Sequence, residues 1–145
     1  MRAIVQRVQS ASVEIEFEIC GEIGIGLVAL VGIHRNDTEE DAKKLADRIA
    51  GMRIFNDSEG KINLNLAAVN GSVLAISNFT VYGDCSQRRP SFTASAGFVV
   101  GQPLFDSFLK QLDALGIPVQ TGKFGADMQV KLINDGPVTL LVDTR

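Results

Sequence analysis

The longest apolar run in the chain, IGIGLVALVGI from Ile23 to Ile33, constrains the fold more than any other stretch. It falls well short of the roughly 20 apolar residues that a membrane-spanning helix needs, and Gly24, Gly26 and Gly32 interrupt it. Such a run reads as a buried strand over Ile25–Ile33, in which the glycines permit curvature. The remaining elements have to be arranged around it.

The segment ahead of the run, MRAIVQRVQSASVEIEFEI, predicts a first strand through Ile4 and Val8. A second strand follows, with Val13, Ile15 and Phe17 on one face and Glu14, Glu16 and Glu18 on the other. CGEIG reads as the turn into the buried strand, so the opening third is a β-meander. NDTEEDAKKLADRIAGMRIF carries the strongest helix signal. Asp37 or Thr38 can cap it, acids fill its first turn, and Ala42, Leu45, Ala46, Ile49 and Met52 share a face that packs on a sheet. NDSEGKINLNL is turn chemistry, and GSVLAISNFTVYGD predicts an inner strand from Val73 to near Thr80. Pro103 is placed to open a second helix, with Leu104, Phe105, Phe108, Leu109, Leu112 and Leu115 at helical spacing and Gly116 as its stop. Short strands follow at Val119–Thr121, Met128–Ile133 and Val138–Val142. The sum is an α+β domain spanning 1–145, a small β-barrel-like sheet with two amphipathic helices packed on it. With 46% hydrophobic and 21% charged residues, the chain has the composition of a folded globular domain.

Charge and cysteine usage narrow the function classes. A formal charge of −3 argues against gripping long stretches of DNA duplex, which takes clustered Lys and Arg, but is compatible with contact at an RNA end. Cys20 and Cys85 have no C-x-x-C spacing, and the first residues look like a strand rather than a leader. A reducing, cytoplasmic setting without membrane contact is the expectation. One histidine and two isolated cysteines cannot supply the usual metal-ligand sets, so no metal and no cofactor is expected. His34 lies at a strand–helix boundary with no nucleophile in its local context and reads as a surface-loop residue. Cys85 stands beside Arg88 and Arg89, which can lower a thiol pKa, but no partner base is visible. There is no G-x-S-x-G elbow, and GEIGIG precedes a strand instead of joining a strand to a helix, so the dinucleotide fingerprint is unsupported.

Three features remain. Ser77, Asn78 and Thr80 surround Phe79 at the end of an apolar strand, either as hydroxyls and an amide satisfied at a strand end or as a site. Arg88 and Arg89 form either a solvated loop or a phosphate-holding pair. Gly136-Pro137, in NDGPVT, reads from spacing alone as a tight turn, since proline opens a strand without a ladder donor.

Taken in order, MRAIVQRV, SNFTVYGD, RRPSF and NDGPVT resemble the D-aminoacyl-tRNA deacylase family, across nearly the whole chain. The resemblance implies a barrel-like α+β homodimer that hydrolyses the ester between a D-amino acid, or glycine, and the 3′-terminal adenosine of tRNA. It also implies that Gly136-Pro137 is a cis peptide that enters the partner subunit's active site, where its carbonyls exclude an L side chain. Ser77, Asn78, Gly136 and Pro137 then contact substrate, and Arg88 and Arg89 contact tRNA. The family usually has Ser-Gln-Phe-Thr-Leu where this chain has Ser77-Asn78-Phe79-Thr80-Val81. The shorter amide of Asn78 leaves the glutamine's bond near the adenosine lost, shifted or water-bridged. Gln87 and Arg88 also depart from the family's Gly-Asn-Arg-Pro-Ser-Phe arrangement.

Hydrolysis of an activated ester needs a positioned water, a proton path and stabilisation of the oxyanion. Backbone N–H groups of Phe79 and Thr80 are the expected oxyanion donors. The terminal 2′-hydroxyl of the RNA is expected to help orient the water, and a Thr80 nucleophile is the competing mechanism. The rival function is a non-catalytic RNA-end or small-ligand binding protein on the same scaffold.

Overall fold

A computed structural model describes residues 1–145. In chain order the elements are β1 (Arg2–Ile15), β2 (Glu18–Ile23), β3 (Gly26–Gly32), α1 (Glu39–Gly51), β4 (Phe55–Asn56), β5 (Ile62–Leu64), β6 (Ser72–Ser77), α2 (Phe98–Ala114), β7 (Val119–Thr121) and β8 (Gln129–Asp143). β1 is long enough to serve two neighbours on one edge. Its first half pairs antiparallel with β3, from Arg2 opposite Gly32 to Val8 opposite Gly26, and its second half with β2. β3 then pairs parallel with β6, and β6 parallel with β7. β2 curls back towards β7 and nearly closes a barrel. Gly21 permits this approach, because a Cβ there would lie 2.9 Å from the Thr121 carbonyl oxygen. β8 runs antiparallel along the other edge of β1 and has no strand on its own far edge.

Two cores explain why β3 is apolar along its whole length. Leu27, Ala29 and Val31 face outward into the larger core, beneath α1 and α2, while Val28 faces inward with Val8, Val13, Leu74 and Ile76. β6 divides in the same way, with Val73 and Ala75 towards the helices and Leu74 and Ile76 inside. Helices that cross between parallel strands cover one face, as the parallel pairing of β3, β6 and β7 requires. α1 presents Ala42, Leu45, Ala46 and Ile49, all fully buried. Thr38 is its N-cap, and the Asp41 carboxylate reaches back to accept from the Thr38 N–H at 2.9 Å. Asp37 is instead buried, accepting from the His34 N–H and pairing with Arg145.

Several expected boundaries move. Ile4 to Ile15 is one strand; the first turn lies at Glu16 and Phe17, both at positive φ, and Phe17 is fully exposed instead of sharing a buried face with Val13. Cys20 to Ile23, expected as a turn, are in β2. The inner strand ends at Ser77 rather than near Thr80. Pro103 lies inside α2, which begins at Phe98; standing past the first turn, it leaves the helix without the i→i−4 donor to the Val99 carbonyl. Leu115 caps the end of α2, exposed, before Gly116 at φ +79°. The two terminal strands are one, β8, running through Gly136-Pro137.

Gly24 and Gly26 are not equivalent. A Cβ on Gly26 would fall 1.8 Å from the Ser72 carbonyl oxygen, whereas one on Gly24 meets nothing within 4 Å. Gly26→Ala is therefore expected to cost about 3 kcal/mol or more, and Gly24→Ala less than about 1 kcal/mol, read from denaturant midpoints.

Two carboxyls bonded to the C-terminal segment, Asp41 in α1 and Asp143 at the end of β8, tie stability to pH. Burial pushes Asp41 up, but hydrogen bonds from Thr144 and Thr38 outweigh it and hold the group below the usual aspartate value of 3.8. Asp143 is likewise raised by burial and lowered further by the Arg145 N–H and by Arg2. Their contribution is present in full above the unfolded aspartate value and is lost as pH falls through the lower folded values. Acid titration of stability should therefore steepen below about pH 4, and Asp143→Asn should flatten it.

Candidate active site

The cleft opens where β3 and β6 end side by side. The Asn78 N–H extends the pairing by one bond, donating to the Val31 carbonyl at 2.8 Å. The chain then tightens into a 3-10 turn over Phe79–Tyr82. Asn78 causes this locally. Its backbone is extended (φ −148°, ψ 93°) and its Oδ1 accepts from the Thr80 N–H at 3.2 Å and from the Thr80 hydroxyl, as a short amide at an N-cap does. A cavity of about 320 Å³ lies between Ile76, Ser77, Asn78 and Phe79 on one side and the segment from Phe124 to Met128 on the other. Its walls are mainly apolar, with the Asp127 carboxylate the one acidic group.

Ser77 and Asn78 are half-buried on the wall, whereas Phe79 and Thr80 are exposed at the rim. The Phe79 ring packs edge-on to Phe92, centroids 5.3 Å apart, and its carbonyl accepts from the Ser95 hydroxyl at 2.7 Å. The Phe79 N–H opens the turn and so has no acceptor within it. The Thr80 N–H does have one, Asn78 Oδ1, so only one of the two expected backbone donors is free in this conformation. The following loop is clamped by paired bonds between Asp84 and Ser91, 2.8 and 2.9 Å. Arg88 and Arg89 lie at its exposed end, without a carboxylate partner.

Gly136 and Pro137 do not line this cleft. They lie in β8, exposed, and the peptide between them is cis. The ladder places Asn134 opposite Val8 and Thr139 opposite Gln6, so four residues bulge out where β1 has only Arg7. Arg7 holds the bulge. It is buried, and its Nε donates to the Asp135 carbonyl and lies 3.2 Å from the Asp135 carboxylate. Its Nη1 donates to the Ile54 carbonyl at 2.8 Å. From the other side, the Asn134 side chain bonds Thr139 and accepts from the Val138 N–H. Sequence reasoning assigned Arg7 no part. The available signal was parity: Ala3, Val5 and Arg7 alternate onto one face of β1, so a charge falls where the strand is otherwise buried.

His34 is outside the cleft lining and packs edge-on to Tyr82, with Nδ1 accepting from the Asn36 N–H. Burial, then Arg145, lowers its pKa below 6.5. Cys85 is an exposed free thiol on the basic loop.

Arg7→Met keeps the stem but leaves the Ile54 and Asp135 carbonyls without their donor. It is expected to destabilise by about 1–3 kcal/mol for each buried group left unpaired, and to speed hydrogen exchange at Val138 more than at Val31.

The comparisons agree along the whole chain. The D-Tyr-tRNA(Tyr) deacylase family matches residues 4–143. A D-aminoacyl-tRNA deacylase of Chloroflexus aurantiacus is 54% identical over 145 residues, covering 99% of this chain and 91% of that one. One of Thermotoga petrophila is 50% identical, covering 99% and 97%. Among solved structures, a c-Myc DNA unwinding element binding protein superposes with a TM-score of 0.95 at 34% identity, covering 100% of this chain and 99% of that one. A probable eukaryotic D-amino acid tRNA deacylase, 18% identical with a TM-score of 0.84 and 98% of each chain covered, shares the fold. On its sequence, its barrel and its full-length match, this chain belongs to the D-Tyr-tRNA(Tyr) deacylase family.

Proposed function

We propose that this chain hydrolyses the ester linking a D-amino acid to the 3′-terminal adenosine of tRNA, releasing the free D-amino acid and the tRNA. Membership of the family makes it a hydrolase acting on aminoacyl-tRNA. The observation that carries the finer reading is the full-length match combined with a cleft built around Ser77-Asn78-Phe79-Thr80 at the ends of β3 and β6. Glycyl esters fit the same reading, since glycine presents no side chain to an excluded face.

The cleft is incomplete in one copy. Its lining contains neither Gly136 nor Pro137, while β8 has an open edge and carries exposed Ile133, Leu140 and Leu141 on either side of the bulge. A homodimer that covers these residues brings the bulge of one copy to the cleft of the other. The Gly136 and Pro137 carbonyls then occupy the L face of the substrate's α-carbon, and an L side chain is refused by clash and repulsion. Ser77 and Asn78 contact the aminoacyl end, and Arg88 and Arg89 meet the tRNA phosphates.

In the reaction a water oxygen attacks the ester carbonyl, the Phe79 N–H receives the oxyanion, and the bond to the ribose oxygen breaks as that oxygen takes up the proton that the water gives up. Thr80 contributes its N–H when Asn78 releases it. The cleft offers no histidine, which supports a role for the terminal 2′-hydroxyl in orienting the water. A Thr80 nucleophile is disfavoured because its hydroxyl donates to an amide oxygen, which is not a base.

Purified protein should release D-tyrosine from D-tyrosyl-tRNA far faster than L-tyrosine from the L-ester; equal release would remove the chiral reading, and binding without release would favour a non-catalytic RNA-end protein. A D-aminoacyl-tRNA ending in 2′-deoxyadenosine should be a very poor substrate. Thr80→Ala should retain activity within about tenfold if Thr80 is not the nucleophile, against losses of about 10⁴-fold or more on removing a true nucleophile.

A further inference from the structure

Ser95 touches the 3-10 turn at the backbone group that sets the direction of a proposed donor. Its hydroxyl donates to the Phe79 carbonyl at 2.7 Å. That carbonyl shares one planar peptide with the Thr80 N–H. The peptide is trans, so the two groups point in opposite directions and a bond that holds one fixes the other. The preceding peptide is also held by its carbonyl, which accepts from the Val81 N–H at 3.2 Å. That bond lies inside the turn, whereas the bond from Ser95 reaches it from outside. Ser95 in turn stands on a separate support. On either side of it the chain is bonded to the residues that follow β3: the Arg35 N–H donates to the Ala94 carbonyl at 2.9 Å, and the Ala96 N–H to the Ile33 carbonyl at 2.8 Å. His34 and Ser95 are the partners in this short antiparallel bridge. Because Phe92 packs edge-on to the Phe79 ring, one segment holds Phe79 by both its ring and its carbonyl. Ser95 itself is half-buried and outside the cleft lining.

Resting on the deacylase reading, we propose that Ser95 is a positioning residue for the reaction, holding the Phe79–Thr80 peptide so that the Thr80 N–H meets the developing oxyanion without turning. In the structure that N–H is occupied by Asn78 Oδ1. Once the amide releases it, a peptide anchored only within its own turn is free to rock about the flanking dihedrals. A peptide whose carbonyl is tied to the exit of β3 is not. The donor is then preorganised, which is what makes a backbone N–H effective where charge develops. Donation to the carbonyl also polarises the peptide and strengthens its N–H as a donor. Ser95 acts through the Phe79 carbonyl and contributes no group to the reacting atoms.

Two variants test this on D-tyrosyl-tRNA, with kcat taken per folded molecule. Ser95→Ala removes the hydroxyl, and Ser95→Thr keeps one. The Ala variant should lose roughly tenfold to a hundredfold in kcat, less than the 10²–10³-fold that follows outright loss of an oxyanion donor. Its KM should stay within about threefold, because the interaction strengthens chiefly in the transition state. The Thr variant should recover most of the loss. The carbonyl ¹³C shift of Phe79 reports the bond independently of activity, and should move upfield in the Ala variant and stay near the wild-type value in the Thr variant. Activity has to follow that shift: a variant that loses the bond and keeps wild-type kcat overturns the positioning role, as does one that keeps the bond and loses kcat. An unchanged Phe79 shift in the Ala variant overturns the bond itself. An inactive wild-type protein instead overturns the deacylase reading, an outcome visible before any variant is compared.

Discussion

Burial of β3 on both faces is the constraint on which the architecture depends. A strand with apolar side chains on both sides needs a cover above and below. Here α1 and α2 cover the outer face, while the curled β1–β2 pair, with β6, fills the inner one. Parallel pairing with β6 follows from the helical crossover, and it brings the ends of two buried strands to the same place. The cleft is therefore a product of the core: Val31 and Ser77 are register partners, and Asn78 begins where their ladder stops.

The parts legible in the sequence were those with one dominant local cause. The apolar face of α1 and its acidic first turn predicted a helix whose observed span differs by little, and Val119–Thr121 lies where it was expected. Boundaries failed where a tertiary contact overrides local chemistry. Thr80 is β-branched and flanked by apolar residues, so strand propensity carried through it; the capping bond from Asn78, invisible to periodicity, ends the strand three residues earlier. Pro103 was read as a helix start because proline is strongest as punctuation, yet Phe98, Val99 and Val100 precede it in the first turn and a half. Gly136-Pro137 was read as a turn between two strands, whereas the chain continues in the same direction on both sides of a bulge. That continuation depends on Arg7, far away in sequence, and no window around NDGPVT contains it.

Much of the candidate site was named from a family pattern rather than from physics, and the structure sharpens where the two differ. Spacing alone could not choose between satisfied polar groups at a strand end and a reactive cluster. Both descriptions hold for Asn78, which satisfies Thr80 through its amide oxygen and is itself a residue of the cleft wall. Arg88 and Arg89 project from a loop closed at its base by Asp84 and Ser91, so a pair of charges that looked like solvated sequence is carried on a clamped support.

The bulge in β8 also bears on solubility. A fifteen-residue strand with an open edge and exposed Ile133, Leu140 and Leu141 is a template for unlimited strand addition, the geometry from which fibrils grow. Pro137 carries no N–H, and the four residues opposite Arg7 leave the plane of the sheet, so a foreign strand cannot lie flat along the full edge. The same distortion that displaces Gly136 and Pro137 from the ladder denies the edge to unspecific strand addition.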